Sequence, residues 1–568
     1  MMLLKVNRIV GIWRKKDEKE EVKKMESGEK RQSRNGNGGS DSDYCGFGRT
    51  GYYFQRTDHS NCRFPVWENY ITDIFIIGRD MKRGQKIRKD RLAKGGITVF
   101  LTGILMILMS FILICVDATR FYVIQVEAEC IADMGLDSIF AEYNRELLEQ
   151  YDLFFIDTSY GYSQPAYQRT EAHLADYMEQ NLQPGQDILT WNGRDFLGMR
   201  LEEAELLEAS LATDNGGRDV HYQAVEYMRD KVGLAFIEDM QRQMETVYEY
   251  DMDDRNVEEE AEQIEEEIRG VELPQEQLED GSFTEVSVDN PADSVNCNRF
   301  KGILYLVTED ASQISDHVIN IANYASQREC NRGTGAASEE TDSAADEILF
   351  DEYLLEKCAY YTKTKDTGEL SYEIEYILGG RSSDIENLKW VAGRLILLRE
   401  VANVSYLYTD REKMEEADLL AWGLSIVALK PQLQPMIKNS VLFAWAYAES
   451  VQDVRLLLSG NKVPLLKTKD TWHLSLDHML NYQEHLEQSE DAEGLDYATY
   501  LRILLLLENK EEKTKRFLDV VEMNLRKTEG NRFFRIDGCM DAVTAQIVIS
   551  GEGNTEVHLI KEYSYLNR

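Results

Sequence analysis

The chain has 568 residues, of which 43% are hydrophobic, enough to form a sizeable core. Residues 1–94 hold 22 Lys and Arg against 13 Asp and Glu, which leaves 41 basic and 89 acidic residues beyond them, a net charge of −48. A surface this acidic repels nucleic acid, so the composition excludes nucleic-acid binding by the main domain.

Residues 1–80 combine a charged patch with a Gly/Asn/Ser-rich segment at 35–43 and show no sustained hydrophobic periodicity. Two interpretations stay open: a disordered cytoplasmic tail, or a mis-assigned start with translation beginning at Met81. Residues 81–96 follow as a basic cytoplasmic flank, whose basic residues are Lys82, Arg83, Lys86, Arg88, Lys89, Arg91 and Lys94.

Ile97 to Val116 is a run of 20 uncharged, mostly apolar residues. As a helix rising about 1.5 Å per residue it spans roughly 30 Å, the hydrocarbon thickness of a bilayer. A secretory signal has a shorter apolar core and a small-x-small cleavage site, which residues 115–118 do not provide. We therefore predict an uncleaved, single-pass transmembrane helix at 97–116, in contact with the lipid bilayer.

Basic residues before the run and acidic residues after it predict the orientation. Because basic flanks stay inside, the N-terminus is expected in the cytoplasm and the acidic C-terminal domain outside the cell membrane. Asp117 and Arg120 lie three residues apart at the exterior bilayer edge, where they can pair and fix the depth of the helix. The alternative is that they are ordinary interfacial charges that end the span.

Beyond the membrane the pattern is mainly helical. Apolar residues at spacings of three to five predict that the membrane helix continues as a helical stalk over 117–150, followed by a short buried segment at 151–157. Residues 151–350 are predicted to form a helical acidic region with polar loops. Within it, 251–260 fails as an EF-hand calcium loop because Arg255 stands at a ligand position.

Residues 351–568 are predicted to form an α+β domain. A capping box of Ser383 and Glu386 opens a helix at 384–406, and core helices follow at 417–429 and 435–458, with further helices at 496–527. Two strands at 358–380 and a hairpin at 541–565 are expected to join in a small antiparallel sheet. The predicted fold class is α+β, predominantly helical.

We expect no catalytic, cofactor-binding or metal site, and hence no enzyme. There is no HExxH, nucleophile elbow or phosphate-binding loop, and His473, His478 and His485 are interpreted as scattered surface histidines. The exterior cysteines are odd in number and irregularly spaced, which favours free thiols, with one bridge such as Cys297–Cys330 as the alternative; they are Cys130, Cys297, Cys330, Cys358 and Cys539.

The segment ITVFLTGILMILMSFILICVDATRFYVIQVEAECIADMGLDSIF resembles the N-terminus of TadE/TadG-type proteins of tight-adherence (Tad) pilus systems. Val116, Asp117 and Arg120 match the Val-Asp-x-x-Arg of those proteins. Phe100 or Leu101 stands where a cleaved prepilin carries Glu, so a fixed anchor is expected in place of a processed pilin.

Later blocks, among them SVNCNRFKGILYLVTED and FRIDGCMDAVTAQIVIS, are similar to an uncharacterised family of single-pass Gram-positive bacterial envelope proteins associated with Tad-type pili. This resemblance implies an accessory or minor component of a Tad-like pilus or secretion assembly, with other Tad-like pilus assembly proteins as partners. The alternative is a stand-alone extracellular binding or adhesion domain on a single membrane anchor.

Overall fold

The computed structural model describes residues 96–182, 197–271, 275–277, 283–285, 290, 292–296, 299–308, 310–335, 343–365, 368–479, 481–484, 494–553 and 555–566. The chain divides into two units, residues 1–102 and 103–568, and the described part of the first is the beginning of helix α1. The basic flank and both interpretations of residues 1–80 lie outside the described residues.

Helix α1 runs from Gly96 to Phe140. It contains no proline and is rich in Leu, Ile, Met and Ala, so nothing in its sequence interrupts the backbone ladder. A turn after Phe140 ends it, and Asn144 begins helix α2 (Arg145–Tyr151) by accepting a hydrogen bond from the Leu147 N–H. The prediction of one continuous helix over 117–150 is therefore wrong: α1 ends at Phe140, and a turn separates it from α2.

A four-stranded antiparallel sheet is built on strand β5 (Cys539–Gly551), which pairs with each of the other three strands. These are β1 (Ile156–Asp157), β2 (Arg200–Leu211) and β6 (Thr555–Ser564). Strands β3 (Gln275–Gln277) and β4 (Phe283–Glu285) form a separate two-stranded pair. The predicted hairpin at 541–565 is confirmed as β5 and β6.

Two predictions about the sheet are wrong. Residues 358–380 do not form two strands; a single bridge joins Tyr360 to Lys363, and helix α10 occupies Glu373–Gly379. The third long strand of the sheet is β2, which lies in residues 151–350, a region that was predicted to be helical with polar loops. The fold class itself, α+β with helices predominating, is confirmed.

The second half of α1 and helix α3 (Tyr167–Leu182) form a core with the sheet. Val543, Ala545 and Ile547 alternate along β5 and are buried together with Ile131 of α1. This period of two is what a strand with one buried face requires. The sheet and α1 thus share a core of their own.

A larger helical body holds the second core. Its helices are α4 (Arg218–Arg229), α5 (Leu234–Glu249), α6 (Val257–Arg269), α7 (Ala292–Asn296), α8 (Ile303–Val307), α9 (Ala344–Lys357), α10, α11 (Asp384–Thr409), α12 (Arg411–Val427), α13 (Gln434–Leu458), α14 (Leu476–Met479), α15 (Tyr497–Leu507) and α16 (Lys510–Arg526). One half of the predicted capping box of α11 is present, since the Ser383 hydroxyl accepts from the Glu386 N–H; the Glu386 carboxylate accepts from the Ser382 hydroxyl.

Helix α13 lies at the centre of this body, and every residue from Ser440 to Val454 is buried. The prediction of a core helix at 435–458 is therefore confirmed. Helix α12 is buried on one side only. Ala417 and Ala421 are buried, whereas Leu419 and Trp422 on the other side are 69% and 53% exposed. The core assignment of 417–429 is thus correct for one face and wrong for the other.

Candidate functional site

The part of α1 from Gly103 to Val116 is an apolar surface that the domain leaves uncovered. Met106 is 73% exposed, Phe111 65% and Leu113 59%. Within the described residues, α1 is the one helix long and apolar enough to cross a membrane. Exposing such side chains to water costs about 1.5–3 kcal/mol each, so this surface needs lipid or other apolar helices around it.

From Ile124 onward the same helix is fixed to the domain. Ile124, Ala128 and Ala132 are fully buried against the sheet. A Cβ on Gly135 would lie 2.7 Å from Cγ of Met178, so the absence of a side chain lets α1 approach α3 closely. The exposed and the docked halves belong to one unbroken helix, so the orientation of one half relative to the sheet fixes that of the other.

The predicted membrane-edge residues lie where the exposed half meets the sheet. Arg120 places its Nη2 3.7 Å from Oε2 of Glu552 in the turn between β5 and β6, and the two side chains are 31% and 59% exposed. Arg120 makes this ion pair in place of the expected one with Asp117. An exposed pair of this kind contributes about 1 kcal/mol at most. That Asp117 and Arg120 mark the bilayer edge stays a prediction.

A buried polar cluster joins α13 to the segment that follows it. One oxygen or ring nitrogen from each of Glu449, Asp453 and His473 lies within 4.8 Å of the others, a spacing that would suit a metal ion. However, the buried ammonium Nζ of Lys467 lies 2.7 Å from Oε1 of Glu449 and 2.6 Å from Oδ1 of Asp453. The lysine therefore supplies the positive charge that a metal would bring, and the cluster is a buried ion network.

Further hydrogen bonds hold this ion network. Arg399 donates from Nε to Oδ2 of Asp453 at 3.0 Å, and the backbone N–H of Leu474 donates to Oε2 of Glu449 at 2.8 Å. Burial alone would raise the pKa of Glu449, but the ammonium of Lys467 and the hydrogen bond with His473 lower it to about 2. Glu449 is thus a carboxylate at any physiological pH, which suits a structural role.

His473 corrects the interpretation of the three histidines. Its side chain is 10% exposed, and Nδ1 lies 3.0 Å from Oε1 of Glu449. Burial lowers the pKa of His473, but the hydrogen bond with Glu449 and the negative charges of Glu449 and Asp453 together outweigh it, so the pKa lies above its ordinary value. His478 is exposed, as expected, and His485 lies outside the described residues. The sequence did contain one signal for this network: Glu449 and Asp453 stand four residues apart in the otherwise apolar helix α13, so both carboxylates lie on one side of it.

The cysteines that the structure describes are free thiols: Cys115, Cys130, Cys330, Cys358 and Cys539. Cys297, the expected partner of Cys330 in the alternative with one bridge, lies outside the described residues. Cys358 and Cys539 are buried, and burial raises the pKa of both thiols well above the usual range. These two are unreactive core residues.

Residues 281–551 match the model of a family of unknown function, DUF5702. The matched region takes in the helical body from α7 to α16 and strand β5, and it does not include α1. No curated protein and no solved structure matches the chain.

Proposed function

We propose that the chain is a non-enzymatic, single-pass envelope protein with its N-terminus in the cytoplasm and its α+β domain outside. Its role is that of an accessory or minor component of a Tad-like pilus or secretion assembly. The observation that carries this proposal is helix α1, whose first half is uncovered and apolar while its second half is buried in the domain.

The continuity of α1 favours an assembly role over a simple tether. A tether needs a flexible connection, but here Ile124 begins to pack against the sheet eight residues after Val116, and Arg120 pairs with the turn at Glu552. Contact between the exposed half of α1 and another membrane helix would therefore set the position of the exterior domain as well.

Two small residues offer a face for such a contact. Gly103 and Ser110 lie two helical turns apart on one side of α1, and a Cβ on Gly103 would have no atom within 4 Å. The Ser110 hydroxyl donates to the Met106 carbonyl at 2.9 Å, so it brings no unsatisfied donor into lipid. Membrane helices associate preferentially through small residues, because these let the backbones approach.

Photo-crosslinking in native membranes tests the proposal. A photoreactive residue at Met106 should crosslink to a small set of other proteins, whereas one at Ala128, which is fully buried, should crosslink only within the chain. Gly103→Leu should reduce the intermolecular products, and Ile112→Leu, a change between apolar residues on the opposite side of α1, should leave them unchanged. Crosslinks to lipid alone would refute the assembly role.

The topology is tested separately. Fractionation should recover the intact chain in membranes, and protease added to whole cells should degrade the C-terminal domain. Recovery of the intact chain in the cytosol, or a protected C-terminal domain, would refute the anchor and its orientation.

A second candidate is a stand-alone extracellular binding or adhesion domain. It is favoured by the exposed apolar face of α12, where Leu419, Trp422 and Val427 are 69%, 53% and 70% exposed. Uncovered clusters of this kind are typical of interaction surfaces. Co-purification with a pilus ATPase or platform protein supports the first candidate, and its absence from solubilised membranes supports the second.

A further inference from the structure

A groove of about 470 Å³ runs along the outer side of α11. Lys389, Trp390, Gly393 and Arg394 line it at helical spacing, and Arg381 joins them from the turn before the helix. Phe300 lies on the opposite wall. Glu258 and Glu386 also line the groove, so its cations exceed its anions by one in a chain with a net charge of −39.

The three cations of this groove lack the ion pairs that many other cations in the described part of the protein have. Arg381, Lys389 and Arg394 are exposed, and within the described residues their charged groups make no ion pair and no hydrogen bond. The guanidinium of Arg394 instead lies 5.7 Å from the ring centroid of Trp390. Where acids outnumber bases by 102 to 63, three cations that line one groove without forming an ion pair, and that outnumber its two carboxylates, indicate a site that attracts an anion from outside the protein.

Gly393 keeps the groove open. It lies inside α11, where glycine is a poorer helix former than alanine. A Cβ at this position would have no atom within 4 Å, and the backbone does not adopt a positive φ, so neither packing nor conformation requires glycine here. The space above the helix backbone is thus free for a flat group next to the ring of Trp390.

The opposite wall is held in place by its own contacts. Phe300 adopts a left-handed conformation with φ of 57°, which is uncommon for a residue with a side chain. Its backbone N–H donates to the Tyr447 hydroxyl at 2.8 Å, and the two rings pack edge to face with centroids 5.8 Å apart. A strained residue fixed in this way gives the groove a rigid wall.

We propose that this groove binds a saccharide that bears carboxylate or phosphate groups. The ring of Trp390 stacks against the apolar face of a sugar, and Arg381, Lys389 and Arg394 bind its anionic substituents. A volume of about 470 Å³ accommodates one or two sugar rings. The site is independent of α1, so it stands or falls separately from the proposed assembly role.

Binding is measured with the full chain in detergent by isothermal titration calorimetry. The probes are an oligogalacturonate for carboxylates and mannose 6-phosphate for phosphate, with maltohexaose as the neutral saccharide and poly-glutamate as an anion without rings. We expect at least one charged saccharide to bind at least tenfold more tightly than both controls. Equal or tighter binding of poly-glutamate would overturn the proposal in favour of an acidic protein partner, and no binding of either charged saccharide would overturn it outright.

Gly393→Gln separates binding from folding. The new side chain fills the open space of the groove while a better helix former replaces glycine, so thermal stability should stay the same or rise as affinity falls at least tenfold. Arg394→Gln should weaken binding similarly. Arg411→Gln, which changes an exposed arginine of α12, is the matched control for Arg394→Gln and should bind as the wild type does. Wild-type affinity in Gly393→Gln, or an equal loss in Arg411→Gln, would refute the site.

Discussion

Replacing Glu375 with glutamine should flatten the pH dependence of the domain's stability. Glu375 lies in α10 and is fully buried, with Oε1 accepting from the Tyr361 N–H at 2.9 Å and from the Tyr497 hydroxyl at 2.8 Å. Its other oxygen has no hydrogen-bond partner within the described residues. Burial raises the pKa of Glu375 from 4.5 to about 7, and the two hydrogen bonds offset that rise only in part.

The magnitude follows from the difference in pKa between the two states. A folded-state pKa above the unfolded value means that the folded protein holds the proton more tightly. The resulting stability is complete below about pH 4.5 and is lost as the pH rises through about 7. At about 1.4 kcal/mol per pKa unit, the loss for this one group is roughly 3 kcal/mol. Glutamine does not ionise, so the variant avoids this loss.

The assay is urea unfolding of the full chain in detergent, followed by tryptophan fluorescence between pH 4.5 and 8. The measured quantity is the unfolding free energy of Glu375→Gln minus that of the wild type. This difference should increase by roughly 3 kcal/mol from pH 4.5 to pH 8. A change in stability that the amide causes equally at every pH does not affect this increase. Glu415→Gln, at a position 70% exposed, should track the wild type. Parallel pH curves for Glu375→Gln and the wild type would show that Glu375 is not protonated on folding.

Three further outcomes are expected in the same urea assay at neutral pH. Lys467→Met should destabilise the domain by about 3–5 kcal/mol, since it removes the ammonium that Glu449 and Asp453 share and Arg399 and His473 replace it only in part; a loss below 1 kcal/mol would contradict the ion network. Ile124→Ala should cost about 2–4 kcal/mol, whereas Ile112→Ala, at an exposed position of the same helix, should cost nothing; equal effects would show that α1 is not docked. Arg120→Gln should change stability by less than about 1 kcal/mol, because its pair with Glu552 is exposed, and a larger loss would mean that the contact is more than a surface ion pair.

The elements with local signals could be predicted from the sequence. An uncharged run long enough for a bilayer gave α1, the hydroxyl of Ser383 three residues before Glu386 gave the start of α11, and alternation on both sides of Gly-Glu-Gly-Asn gave the β5–β6 hairpin. In each case the residues that determine the element lie within it.

The elements that were predicted wrongly depend on contacts between segments that are distant in the sequence. Strand β2, RLEEAELLEASL, is composed of good helix formers, and it is a strand because Leu206 and its neighbours pair with β5 near the end of the chain. In residues 358–380, backbone N–H groups that were expected to pair with a second strand donate to side-chain carboxylates instead. The N–H groups of Ala359 and Tyr361 donate to the carboxylates of Glu373 and Glu375, so α10 satisfies the backbone that a strand would have paired.

The candidate sites were only partly visible in the sequence for the same reason. The apolar surface of α1 could be predicted because its signal, an uncharged run of 20 residues, lies within the helix itself. The ion network could not, because Lys467 and His473 reach Glu449 from a separate segment after α13. The basic and aromatic residues on one face of α11 can be read from the sequence. The opposite wall of the groove cannot, because Phe300 comes from a distant loop.

The distribution of cations connects these observations. In an acidic chain, buried carboxylates are stable only when a cation neutralises them or when they take up a proton, and Asp453 and Glu375 illustrate the two solutions. Buried lysines and arginines are therefore committed to the core, as Lys467 is. Cations at the surface of such a protein should find carboxylates readily. Arg381, Lys389 and Arg394 line one groove without forming an ion pair to any described residue, and a ligand that supplies negative charge there accounts for this arrangement better than solvent does.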